Sequence, residues 1–142
     1  MKFKTEQEEF WSGDFGNDYI QRNKEDQLVA NNLNLFTNAL NKTQGLKTCI
    51  EFGANIGMNI KALRILFPSL NFTAVEINKT ACKSLSSLIG FKNVHEKSIL
   101  DFESKDHYDL TIIKTVLIHI NPNELAKVYQ SLFMFKKIYS YC

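Results

Sequence analysis

Residues 48–67, TCIEFGANIGMNIKALRILF, limit the possible folds more than any other stretch. An apolar run, Cys49-Ile50-Glu51-Phe52, has the length and composition of a buried strand. A glycine-containing bend, Gly53-Ala54-Asn55-Ile56-Gly57, comes next. Ile60, Leu63, Leu66 and Phe67 then recur at helical spacing until Pro68 closes the segment. Strand, glycine bend and helix in that order open a βαβ unit. A bend of this kind lets a ligand approach the backbone, and the helix start beyond it offers free N–H groups to an anion.

The flanking chain repeats the pattern. Before the bend, Asp26 is a plausible cap for a helix whose Val29, Leu33, Phe36 and Leu40 share one face, and polar Asn41–Lys47 is the loop into the first strand. After it, Asn71–Ile77 reads as a second strand, and Lys79–Ile89 as a helix that Gly90 ends. Val94–Ser98 is a weaker third strand and Tyr108–Val116 a strong fourth. Asn121-Pro122-Asn123-Glu124 has the cap, proline and acid of a helix start, continued by Leu125, Val128 and Leu132, and Lys137–Cys142 reads as a fifth strand. Strands separated by helical spacers predict an α/β fold with a doubly wound, mostly parallel sheet of about five strands. Residues 1–45 form an N-terminal helical cap and 46–142 the α/β core of one domain.

Composition removes several function classes. Seventeen basic and fifteen acidic residues leave a net charge of +2 without a Lys/Arg run, so nucleic acid is not an expected partner. The opening MKFKTEQEEFW is too polar for a signal peptide, and no apolar run is long enough to span a membrane. Cys49, Cys82 and Cys142 lack metal-ligand spacing and suit a reducing cytoplasm, so no metal is expected and Cys82 reads as a packing residue. The sequons at Asn41, Asn71 and Asn78 are then chance matches. His95 and His107 read as solvated.

The glycine positions narrow the ligand. A dinucleotide fingerprint would need glycines at 53, 55 and 58, where the chain has Gly53, Asn55 and Met58. An acidic-x-G-x-G-x-G pattern matches at Glu51, Gly53 and Gly57. Only Asn55 departs, and Asn is the non-glycine residue that best tolerates a left-handed backbone. This pattern resembles motif I of the Rossmann-like S-adenosylmethionine-dependent methyltransferases. Glu76, at the carboxyl end of the second strand, is placed to accept two ribose hydroxyls, or is a surface acid at a strand end. Glu51 needs partners from the bend's N–H groups or from a ligand ammonium, the second being preferred. Ser98 and Ile99, with Leu100, follow the third strand, where adenine would lie; Asp101 either joins them or caps the next turn. After the fourth strand, His119 is the candidate base and Lys114 the candidate for orienting an acidic substrate, with pocket-wall packing and charge neutralisation as the alternatives. Trp11, Tyr19 and Arg22 either form a lid, with Arg22 pairing a ligand carboxylate, or simply pack a cap onto the core.

TEQEEFWSGDFGNDYIQRN, EFGANIGMNI and VLIHINP together look like the methyltransferases associated with pseudaminic acid biosynthesis in bacteria. The resemblance runs over nearly the whole chain. It implies a cytoplasmic enzyme that uses S-adenosyl-L-methionine on a sugar-derived small molecule in nonulosonic-acid or surface-glycan metabolism. By position, Gly53, Ala54, Asn55 and Gly57 would cradle the methionine portion and Glu76 the ribose. Such enzymes continue past the fifth strand with a helix and an antiparallel strand pair that this sequence lacks, which suggests truncation. A fifth strand left at the edge is then a surface for pairing with another copy. The rival expectations are a non-catalytic remnant that binds the cofactor or a partner, and a nicotinamide-dependent oxidoreductase.

Overall fold

The computed structural model describes residues 3–22 and 26–141, the last six of these as backbone only. Its elements are α1 (Glu6–Ser12), α2 (Asp14–Arg22), α3 (Asp26–Ala39), β1 (Thr48–Phe52), α4 (Met58–Leu66), β2 (Asn71–Glu76), α5 (Lys79–Ile89), β3 (Val94–Glu96), β4 (Tyr108–Ile113), α6 (Leu125–Met134) and β5 (Lys136–Tyr141). The strands form one sheet in the order β3-β2-β1-β4-β5, with every pairing parallel. This is the Rossmann-like fold expected from the alternating strand and helix patterns.

The pleat sends alternate side chains to two layers. Cys49, Phe72, Ala74, Leu110 and Ile112 face Phe36 of α3 and Leu40 just past it, Ile60 and Leu63 of α4, and Leu85 of α5. Ile50, Phe52 and Val75 face Val128 and Leu132 of α6, together with Phe102 and Phe135. Phe52 packs its ring 5.6 Å from Phe102 and 5.7 Å from Phe135, so truncation there would cost about 3–5 kcal/mol. Tyr108 joins the α6 layer although Leu110 and Ile112 face the other way. A register irregularity between Tyr108 and Leu110 re-aims it.

Several boundaries are shorter than expected. β3 stops at Glu96 instead of Ser98, although Lys97 N still donates to the Glu76 carbonyl at 3.0 Å. β4 stops at Ile113 instead of Val116, because Thr115 takes a left-handed conformation (φ 62°) that turns the chain out of the sheet. The expected end of the fifth strand at Cys142 lies outside the described residues. His95 is half-buried instead of solvated: its ring lies 5.1 Å from Phe102, and burial lowers its pKa. His107 is exposed, yet its Nδ1 lies 3.0 Å from the Met134 carbonyl oxygen. Cys82 is buried against the Glu76 carbonyl, and burial pushes its thiol up to about 12, which makes it inert.

The N-terminal segment folds as two short helices joined at Gly13. Thr5 and Glu8 form a reciprocal capping box on α1. The helix pair docks on the start of α5 through Asn78. Its Nδ2 donates to the Trp11 carbonyl at 3.3 Å and to Asn17 Oδ1 at 3.1 Å, while its Oδ1 caps α5 by accepting from Ala81 N at 3.0 Å. Close approach requires glycine at 16, where a Cβ would lie 2.0 Å from the Trp11 carbonyl oxygen. No helix among the described residues is long and apolar enough to cross a membrane.

Candidate functional site

The sheet order changes direction between β1 and β4, which is where ligands bind in open α/β sheets. A cleft of about 260 Å³ lies there, bounded by the ends of β1, β2 and β4 and roofed by α1 and α2. That volume is close to the lower end for small-molecule sites, roughly 300–1,000 Å³.

The bend after β1 forms the cleft floor. Gly53 has φ 67°, and a Cβ on it would lie 2.3 Å from Val116 Cγ2, so both conformation and space call for glycine. Asn55 has φ 48°, the left-handed conformation that its residue type tolerates. Gly53, Ala54 and Asn55 line the cleft. Gly57 does not. It has φ 84°, and a Cβ there would lie 2.5 Å from Leu88 Cδ2, so this glycine lets α4 pack against α5.

Glu76 lines the cleft with both carboxylate oxygens fixed by backbone. Asn55 N donates to Oε2 and Asn78 N to Oε1, each at 2.8 Å. Burial raises its pKa, against the pull of those N–H groups. Glu51 lies beneath the lining and is 1% exposed. Its Oε1 accepts from Asn59 Nδ2 at 2.5 Å, while its Oε2 is buried without a partner. Burial pushes its pKa up to about 8; Asn59 opposes the rise, Glu76 adds to it and Lys114 opposes it. Asn55 Oδ1 and Asn59 Oδ1, both on residues of the lining, are also buried and unpartnered.

Ser98 and Ile99 line the next stretch, and the Ser98 hydroxyl accepts from Leu100 N at 3.1 Å. Asp101 pairs with the Lys4 ammonium and so ties α1's approach to the loop after β3. Lys114 and His119 both line the opposite wall. His119 ends a 3-10 turn (Leu117–His119) and stacks at a tilt on Trp11, with centroids 4.6 Å apart. Trp11 also meets Phe15 and Tyr19 edge-on, and Tyr19 lines the cleft. Arg22 is absent from the lining. Its guanidinium lies 5.5 Å from the Phe15 ring centroid and 5.9 Å from that of Tyr19, and the residue is exposed.

The structure thus gathers Tyr19, Gly53, Ala54, Asn55, Glu76, Ser98, Ile99, Lys114 and His119 around one cleft, and leaves Arg22, Gly57 and Glu51 outside its lining. Sequence reading missed Gln7, Glu8, Asn32, Met58, Asn59 and Asn78, which also line it. Asn59 gave one signal: a polar residue at the start of α4, one position before buried Ile60. Asn78 showed in the sequence only as a sequon. Among the described residues no group of His, Cys, Asp and Glu is gathered to hold a metal ion.

No family model matches the sequence, and neither does any curated protein. Solved structures match in fold. The plantazolicin methyltransferase BpumL, in complex with a pentazolic desmethylPZN analog and SAH (S-adenosylhomocysteine), superposes with a TM-score of 0.69 at 14% identity, over 92% of this chain and 52% of its own. The sugar N-methyltransferase KedS8 from a Streptoalloteichus species gives 0.66 at 15% identity, over 89% and 51%. The mitomycin 7-O-methyltransferase MmcR gives 0.68 at 14% identity, over 94% and 40%. The chain therefore spans about half the length of the first of these structures. At such identities the likeness establishes the fold alone.

Proposed function

We propose that the chain is an S-adenosyl-L-methionine-dependent methyltransferase acting on a small sugar-derived molecule, in nonulosonic-acid (pseudaminic acid) or surface-glycan metabolism of a bacterial cytoplasm. The observation that carries this reading is a juxtaposition. The carboxylate of Glu76 and the open bend Gly53–Asn55 line the same cleft, and Asn55 N–H links them at 2.8 Å. Structural likeness to methyltransferases solved with SAH supports the choice of cofactor.

The residues present fit an amino-acid-bearing nucleoside. Two buried acceptors on the lining, Asn55 Oδ1 and Asn59 Oδ1, suit the donors of an ammonium group. Glu76 retains free lone pairs for ribose hydroxyls beyond its two backbone bonds. Ile99 offers an apolar face to a base. Gly53, made glycine by Val116, leaves no side chain between ligand and backbone. When bound, the cofactor supplies a methyl group activated on a sulfonium sulfur.

The chain's own contribution is to position and to exclude water, which supplies most of the acceleration for a displacement of this kind. Trp11 and Tyr19 roof the cleft. In this reading His119, which stacks on Trp11 and lines the cleft, takes a proton from an oxygen or nitrogen acceptor at an imidazole nitrogen, and Lys114 orients an acidic group. The outer edge of β5, unpaired among the described strands, is where a second copy would add.

The test is methyl transfer. Purified chain is incubated with methyl-labelled S-adenosylmethionine together with pseudaminic acid or, in turn, each of its amino-sugar precursors. Label on one of these sugars is expected. Cofactor binding without transfer to any of them would replace this reading with that of a non-catalytic binding chain.

A further inference from the structure

We propose that Glu8 and Gln7 form a recognition subsite for hydrogen-bond donors, hydroxyl or ammonium, carried by the methyl acceptor; the word acceptor rests on the methyltransferase reading above. Both residues lie on the cleft side of α1 and line the cavity that also holds Trp11, His119 and Asn121.

Glu8 is a carboxylic side chain only 8% exposed, and among the described residues it is the one buried acid of the cap. Its Oε2 is fully engaged, accepting from Thr5 N at 3.1 Å and from Lys4 N, which fixes the orientation of the group. Its Oε1 is buried and has no partner. Gln7 Oε1 is likewise buried and unpartnered. The Lys4 ammonium does not answer them, because it pairs with Asp101. Burying an acceptor without a donor is costly, and costlier for a carboxylate. Two such oxygens on one wall favour a ligand that brings donors and disfavour one that brings a further anion. Lys114, elsewhere on the lining, has the opposite preference. The cleft therefore reads an acceptor with a donor-rich face toward α1, as a polyol or amino sugar has.

Three probes on one ring separate the sources of the donor: glucosamine (ammonium and hydroxyls), glucose (hydroxyls only) and glucuronic acid (an added anion). Each is titrated calorimetrically into SAH-saturated chain and into the chain alone. Glucosamine is expected to bind best if the donor is an ammonium and equally with glucose if it is a hydroxyl; glucuronic acid, whose carboxylate the Lys114 side of the cleft can meet, is expected to lose as much affinity as glucose in Glu8→Gln. Glu8→Gln keeps the helix cap, since Gln also serves in a capping box, but turns an N–H donor toward the cleft. It should weaken glucosamine about tenfold and leave SAH affinity within about twofold. Gln7→Met, which keeps length and removes the acceptor, should weaken it severalfold, and reports independently if Glu8→Gln misfolds.

Unchanged sugar affinity in both variants would overturn the proposal. So would no binding of any probe to the wild-type chain. A loss of SAH affinity in Glu8→Gln, with sugar affinity intact, would place Glu8 against the cofactor and also overturn it. Failure of SAH to bind wild type counts against the methyltransferase reading only, because the titrations without SAH still test the subsite.

Discussion

Glu51 and Glu76 end neighbouring strands, yet their surroundings separate them. Glu76 is held by two backbone N–H groups and faces the cleft, whereas Glu51 is sealed below with one side-chain donor. Glu76→Ala should weaken SAH binding by about 1–3 kcal/mol, read by calorimetry; unchanged affinity would mean that the carboxylate is not a ligand. For Glu51 the sign follows from a pKa raised from 4.5 to about 8. The unfolded chain loses this proton near pH 4.5, and the folded chain keeps it to about 8. Stability therefore falls as pH rises through that window and is flat above it. Glu51→Gln should remove this fall, giving a higher thermal midpoint than wild type at pH 8.5 and an equal one near pH 4.5, without ligand. At this scale the sequence made Glu76 legible, because strand ends at the bend's level face ligands. It hid Asn59 as the partner of Glu51, because that contact joins a strand to the next helix through space. Of the two readings of the cap, the lid would turn Arg22 toward the cleft, whereas its exposed guanidinium lies over the Phe15 and Tyr19 rings.

The elements were legible where hydrophobic period and punctuation agree. Gly53, Gly57, Gly90 and Pro68 bracket α4 and α5 where the spacing put them. Strand ends were less legible, because β3 and β4 are cut short by turns, and the left-handed Thr115 is a conformation that no propensity predicts for a β-branched residue. The motif's glycines also divide their roles in a way that spacing alone does not tell. Gly53 clears the cleft, and Gly57 clears the helix contact. Gly57→Ala should therefore destabilise the chain by about 2–4 kcal/mol, combining left-handed strain with overpacking against Leu88 and Leu85. Chemical denaturation reads this as a lower midpoint at unchanged slope; a loss below about 0.5 kcal/mol would show that α5 yields easily.

Across the whole molecule, a parallel sheet carries the cleft floor and a separate pair of short helices its roof, joined through Asn78 and the Lys4–Asp101 pair. The exposed ion pair adds little, so the attachment rests on Asn78 and on buried Ile20, which packs with Ile56 and Ala81. Asn78→Ala should speed hydrogen exchange across α1 and α2 while β1 and β4 keep their protection; uniform loss would mean that cap and core open together. That the aromatic segment is a roof was only half legible, since Phe10, Trp11, Phe15 and Tyr19 suit packing and lid equally. The tilted stack of Trp11 on His119 joins the two roles. The central claim is that this cleft takes an amino-acid-bearing nucleoside. Calorimetric titration of the purified chain with SAH and with NADH tests it most directly. One SAH per chain with micromolar affinity, about −8 kcal/mol, and no heat from NADH is the expected result. Silence toward SAH, or tighter binding of NADH, would contradict it.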